Sequence, residues 1–396
     1  MERLSLASLK LAVEGKYAAI RRVTRLEPVG EKIFPPTYLG GKYAEEQRQV
    51  RTETATQPVE TVLLDSVQSQ ANRMEMALLR AYDAGRLKMP LLQVDFAGDR
   101  PDEILSAVGR LTALEAPHRW CDAIFWDAIY KGERFRQSTV GRELNSSKTT
   151  NATAVFAVCP TALIFGYWDS NARQGAGGAR VQRALFSEIV GYQKVSGKRT
   201  SSRIDPLQID NSVEIYAQKG GGWIFSPAEA EQDKSGPVKI DPSAVIHGNI
   251  PPTINDGGVT MAYAEQQTVI SLAALRRLRF PVSAVTSANI DNAARTVLAA
   301  LGLAAICFLD EEGYDLRSRC LLDGKPGTMQ FVGRGETYDF SLDADGAASL
   351  LAQAANEAKN LNLPWSLEPV TLQPSAELSR LVVESRKKSM SVDAGK

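Results

Sequence analysis

Between Asn171 and Arg203 seven cations, Arg173, Arg180, Arg183, Lys194, Lys198, Arg199 and Arg203, stand against Glu188 as the single acid, a local charge of +6. A field of that sign attracts phosphate. Gly175, Gly177 and Gly178 inside the stretch permit backbone shapes closed to other residues and remove side chains that would hold a phosphate away. The spacing is neither GxGxxG nor a P-loop, so nucleotide binding of those classes is not supported. From these residues alone, a phosphate-binding stretch and a loop of solvated charges are equally good readings.

Within it RTSSRIDP, Arg199 to Pro206, sets Arg199 and Arg203 around Thr200, Ser201 and Ser202. Those are donors suited to phosphate oxygens and ribose hydroxyls. A Ser-rich turn with an Arg203–Asp205 contact is the alternative, which the sequence slightly favours. A second candidate is the polar arc Gln68, Ser69, Asn72 and Arg73. These residues could hydrogen-bond a nucleic-acid backbone without choosing bases. A merely solvated face would more often show Glu and Lys. In RRLRF, Arg276 to Phe280, before Pro281, complementing a helix C-terminus explains the arginines better than RNA contact does.

Catalytic groups are sparse. His118 and Asp122 lie four apart, which makes neither a triad nor a metal cluster, and a histidine at a helix start is usually structural. Asp343 and Asp345 fit a turn before a helix better than a metal pair. With His118 and His247 the only histidines among 396 residues, no nuclease or hydrolase constellation emerges, and neither a cofactor nor a metal is expected.

The elements that must position these residues read as a mixture. Tyr17 to Leu26 predicts a strand with apolar Ile20 and Val23 between Arg21, Arg22 and Arg25. Asp65 to Tyr82 predicts a helix with Val67, Ala71, Met74 and Leu78 on one face and Gly85 as its stop. Leu91 to Phe96 reads as a strand, Pro117 to Tyr130 as a helix, and Val155 to Trp168 as strand material broken by Pro160. Residues 220–252, rich in Gly, Pro and Asp, read as an insertion or mobile lobe. Strand-like VTMAYAEQQTVI and helical SLAALRRLRF follow from Gly258 to Phe280. A helix over Ser287 to Leu301, a buried strand over Ala304 to Leu309 and a last helix over Asp345 to Asn360 complete an α+β pattern. The tail from residue 385 to 396 is expected to fray.

Bulk properties narrow the class. The chain has 46 basic and 46 acidic residues, so any nucleic-acid surface must be local. No run of 18 apolar residues appears and the amino-terminus carries charges through its apolar stretch, which predicts a cytoplasmic protein with no membrane partner. Cys121, Cys159, Cys307 and Cys320 form no CxxC pair, so neither zinc nor a disulfide framework is expected.

KIFPPTY (Lys32 to Tyr38), LLDSVQSQANRMEMALL (Leu63 to Leu79), LEAPHR (Leu114 to Arg119), PTALIFGYWDS (Pro160 to Ser170), FSEIVGY (Phe186 to Tyr192), RTSSRIDP and EQQTVISLAALRRLRFP (Glu265 to Pro281) together resemble the RAMP-superfamily backbone subunit of Cascade, in the type I-U or I-G variant of CRISPR systems. The resemblance implies a ferredoxin-like, RRM-related palm with inserted finger and thumb regions, in one elaborated domain. The palm would span about 15–170 and 255–360, and the thumb or basic insertion about 171–210. It implies copies that stack along a guide RNA (crRNA), grip its backbone and leave the bases to pair with target DNA, beside a repeat-handle subunit and a large subunit. Carried over, Gln68, Ser69, Asn72 and Arg73 would be palm contacts; Arg180, Arg183, Arg199 and Arg203 would lead the phosphate ligands, with Arg173, Lys194, Ser201 and Ser202 beside them. Related subunits of type III complexes cut RNA with a loop aspartate. Asp169, Asp205 and Asp210 are equally well explained as turn or cap residues here, so no cleavage is expected. Two competing readings are an RNA-processing endoribonuclease using His118 or a carboxylate, and a metabolic α+β enzyme that binds no RNA.

Overall fold

A computed structural model describes residues 1–51, 55–98, 103–169 and 180–393. Contacts gather into two compact units, residues 1–195 with 260–378, and residues 196–259 with the chain from 379 onward. In chain order the principal elements are β1 (Ala19–Pro28), β2 (Glu45–Arg51), β3 (Thr56–Asp65), α1 (Val67–Asp83), β4 (Leu185–Tyr192), β5 (Val195–Arg203) and β6 (Ile250–Thr260). Then come β7 (Tyr263–Ser271), α2 (Ala288–Glu312), β8 (Met329–Gly333), β9 (Glu336–Ser341), α3 (Ala344–Asn360) and α4 (Ala376–Asp393).

In the first unit β9, β8, β1, β7, β4, β3 and β2 pair side by side in that order, antiparallel throughout. α1 packs on β4 and on α2, and α2 packs on α3. Strand side chains alternate between faces, and along β1 this buries Ile20, Arg22, Thr24 and Leu26 while Arg21, Val23 and Arg25 face out. Val23 is thus exposed although apolar, and Arg22 is buried although charged. The inward guanidinium is neutralised by Asp310 of α2, with Nη2 donating to Oδ1 at 2.7 Å, and it also reaches Gln266 Oε1 at 3.2 Å. A buried charge needs such a partner.

α2 replaces the helix and buried strand expected over 287–309 with one helix of 25 residues. Ser287 caps its start by accepting from Ile290 N at 3.2 Å, and Gly313 at φ +72° ends it. From Ala294 to Leu309 every residue is buried, so the apolar run shows no amphipathic period and reads like a strand. Among the described residues it is also the one helix long and apolar enough to cross a bilayer, and it lies inside the protein.

Three further expectations are corrected in this unit. Over 117–130 the chain forms a 3₁₀ turn (Arg119–Cys121), a four-residue helix (Ala123–Trp126) and a strand (Ala128–Tyr130) rather than one helix. Asp122 accepts from His118 N and Ile124 N, which starts a new helix there. Over 155–168 the apolar run forms two short helices, Thr153–Val158 and Thr161–Phe165, before the strand Tyr167–Trp168. In SLAALRRLRF the helix is only Leu272–Leu275; Arg276 then donates to Tyr17 O at 2.8 Å and Arg279 to Asp291 at 2.6 Å. A second sheet joins 110–112, 92–95, 370–374, 128–130 and 133–134.

The second unit contains the β5–β6 ribbon and, beyond it, a small sheet of 215–217, 223–224 and 239–240. Asp205 pins the lobe: its buried carboxylate accepts from Leu207 N, Ile209 N and Gly248 N. These backbone donors hold its carboxyl below the usual carboxylate range. The tail expected to fray from 385 is helical through Asp393 as part of α4.

Candidate nucleic-acid interface

Ser66 starts α1 by accepting from Ser69 N at 3.2 Å, and Gly85, at φ +72°, follows its end. Ala71, Met74, Ala77 and Leu78 face the core, which leaves Gln68 and Asn72 exposed on the opposite arc and Ser69 and Arg73 half-buried. Arg73 is committed inward. Its Nε donates to Asp65 Oδ2 at 2.9 Å and its Nη2 to Leu316 O at 2.5 Å. Asp65 is fully buried and also takes Gln70 Nε2 at 2.7 Å and Arg317 at 3.3 Å. Of the arc, Gln68 and Asn72 therefore offer the outward donors.

The same helix carries a buried ion pair that the sequence reading passed over. Arg119, held at φ +53°, donates from Nε and Nη2 to the Glu75 carboxylate at 2.7 and 2.8 Å, and from Nη1 to Gly166 O at 2.9 Å. Next door Arg183 Nε donates to Phe165 O at 3.2 Å. Gly166 adopts φ +82°, and a Cβ there would lie 2.9 Å from Arg183 N. Tyr167 and Trp168 pair with Val181 and Arg180, so the clamp at Gly166 ties this short ribbon to α1. Burial pushes the Glu75 carboxyl up to about 7 against the attraction of Arg119, and burial with Arg119 nearby pulls the Arg183 guanidinium down. Arg180 is exposed on its short strand. Arg173, with Gly175, Gly177 and Gly178, lies outside the described residues.

Lys194 is tied to Glu45 at 2.7 Å and is mostly covered. The remaining cationic residues of the basic stretch lie on β5. Strand alternation puts Arg199, Ser201 and Arg203 on one face and Lys198, Thr200 and Ser202 on the other. The Arg199 stem lies over Gly257, where a Cβ would come within 2.7 Å of its Cδ. Ser201 Oγ meets Thr253 Oγ1 at 2.7 Å, and Lys198 pairs with Asp256. Arg199, Ser201 and Ser202 are exposed and Arg203 is half-buried. Gln68, Ser69, Asn72, Arg73, Arg180, Arg183 and Lys194 belong to the first unit, and Arg199, Ser201, Ser202 and Arg203 to the second.

The outward face of the main sheet is a further surface missed in the sequence, although the alternation of β1 signals it. Arg25 lies 3.9 Å above the Tyr263 ring, which stacks on Tyr192 at 5.1 Å. Arg48 bonds Glu188 at 2.6 Å, which holds its guanidinium more firmly protonated. Charges paired within one face add little net attraction for phosphate. Among the described residues no three His, Cys, Asp or Glu side chains gather to hold a metal. Burial, with Asp169 nearby, raises the Cys121 thiol.

The chain is similar to CRISPR-associated proteins. Residues 20–195, from β1 through α1 and β4, match the model of a family described as CRISPR-associated protein GSU0053. The match supports a role in CRISPR defence. No curated protein matches the chain.

Proposed function

We propose that this chain is a non-catalytic backbone subunit of a CRISPR surveillance complex in the cytoplasm, binding guide RNA through its sugar-phosphate chain. Copies assemble along the guide and present its bases to target DNA, beside a repeat-handle and a large subunit. The observation that carries the reading is the β5 face, where Arg199, Ser201 and Arg203 stand about 6.6 Å apart in a row of alternating guanidinium and hydroxyl groups. Such groups bind phosphate and ribose without reading bases, as a subunit that must accept any guide requires. Exposed Gln68 and Asn72 supply neutral donors of the same kind.

The sheet supports a ferredoxin-like palm. β1, α1, β4, β7, α2 and β8 follow one another in the chain, and their strands lie in the order β8, β1, β7, β4. That is the fourth strand beside the first, then the third and second, the arrangement of a split βαβ design. On this reading β2, β3 and the residues between α1 and β4 are insertions, as is the chain between β4 and β7.

The test is the double variant Arg199→Ala with Arg203→Ala. RNA affinity should fall by a similar factor on every sequence, and the slope of log affinity against log salt should flatten by about 1.4 for two lost contacts to a single strand. A loss confined to particular sequences, or an unchanged slope, contradicts the reading.

A further inference from the structure

Trp168 is the most exposed of the five tryptophans. It is 65% open against 39% for Trp223, while Trp126 is half-buried and Trp120 and Trp365 are buried. An indole is a large apolar surface to leave in water, and nothing about the backbone around it is loose. Tyr167, just before it, is buried with its ring edge-on to Trp120, centres 5.2 Å apart. Asp169, just after it, is buried and accepts from Arg136 Nη1 at 2.8 Å. Gly166 O accepts from Arg119 at 2.9 Å. Anchors at 166, 167 and 169 thus hold one outward ring between inward neighbours.

Strand pairing decides what stands beside that ring. Tyr167 lies opposite Val181, both buried, and Trp168 lies opposite Arg180, both exposed. Residues directly opposite in an antiparallel pair share a face, with Cβ atoms about 4.5–5.5 Å apart. The guanidinium and the indole therefore project side by side. Of the acids on either side in the sequence, Asp169 is bound by Arg136 and Glu188 by Arg48, so both are already engaged. A ring beside a cation, within or adjoining a stretch that carries +6, favours a polyanion over an apolar protein surface. A nucleotide offers both halves of the match, a π-face for the ring and a phosphate for the guanidinium.

We propose that Trp168 stacks on a base of bound single-stranded RNA while Arg180 takes an adjoining phosphate. This deepens the proposed function and rests on its RNA-binding reading. Every base has a π-face, so stacking adds affinity without choosing a sequence.

The test uses the full-length chain and three labelled single strands of equal length: an RNA of mixed sequence, the same ribose-phosphate chain without bases, and the DNA counterpart. Melting temperature and sedimentation of each variant without nucleic acid accompany the affinities. Trp168→Ala should melt like wild type and bind the RNA about tenfold or more weakly, the loss of one aromatic–base stack, with an unchanged salt slope. On the abasic strand it should bind as wild type does. Trp168→Phe keeps a ring and should recover most of the RNA affinity, while the quenching of tryptophan emission that RNA causes in wild type should shrink. Arg180→Ala should instead flatten the slope of log affinity against log salt by about 0.7, one contact to a single strand. Unchanged RNA affinity in Trp168→Ala overturns the proposal. So does an equal loss on the abasic strand, a loss on DNA alone, or altered self-association with RNA affinity intact. Wild type that binds none of the strands refutes the RNA-binding reading, and this proposal with it.

Discussion

At the scale of single residues, α1 separates groups that face outward from groups that hold the protein together. Gln68 and Asn72 are exposed, whereas Arg73 binds Asp65 and Leu316 O. Gln68→Ala with Asn72→Ala should lower RNA affinity and leave the melting temperature nearly unchanged. Arg73→Ala should lower stability by about 2 kcal/mol through lost charge-assisted bonds. A variant at Arg73 that melts like wild type but loses RNA would reverse the assignment. The buried Glu75–Arg119 pair supplies a pH test. Burial raises the Glu75 carboxyl to about 7 in the folded chain, above its ordinary value, with Arg119 and Arg183 as the charges facing it. Folding therefore takes up a proton, and this stabilisation is complete below the ordinary carboxylate range and lost as pH climbs through 7. Wild type should lose melting temperature relative to Glu75→Gln between pH 5.5 and 8; a difference that stays constant across that range would show the carboxylate to be ionised throughout. Arg119→Ala strands the carboxyl and should cost about 3–5 kcal/mol.

Elements differ in how far the sequence reveals them. α1 is legible because Ser66, an apolar face of Ala71, Met74 and Leu78, and Gly85 supply start, period and stop. α2 is legible only at its capped beginning, since burial on every side from Ala294 to Leu309 erases the period. The Val155 to Trp168 run fails for the same reason: apolar residues buried all round do not reveal whether they coil or extend. The strand β1 is legible but the facing of its arginines is not, because an inward Arg22 is intelligible only once Asp310 is known to sit opposite it. The clamp on α1 was equally hidden, as Glu75 and Arg119 are 44 residues apart. Its backbone requirement is testable at Gly166, where φ is +82° and a Cβ would meet Arg183 N. Gly166→Ala should destabilise the protein by about 1–3 kcal/mol, read as a lowered melting temperature. An alanine variant as stable as wild type would show that the turn has room to relax.

For the molecule as a whole, neutrality conceals an uneven distribution of charge. The stretch from Asn171 to Arg203 holds +6 and residues 204–256 hold −5, so adjoining parts of one chain are suited to different partners. The basic stretch was visible in the sequence. Which cations remain outward was not, because that depends on long-range partners such as Glu45 for Lys194 and Asp256 for Lys198. In the proposed function, exposed arginines, hydroxyls and amides grip a sugar-phosphate chain without regard to its bases. Affinity measured at one salt concentration for a set of unrelated single-stranded RNAs of equal length tests it most directly. Dissociation constants should fall within about threefold of one another with a common salt slope; preference for one sequence by about a hundredfold, or no binding to any, would rule out backbone gripping.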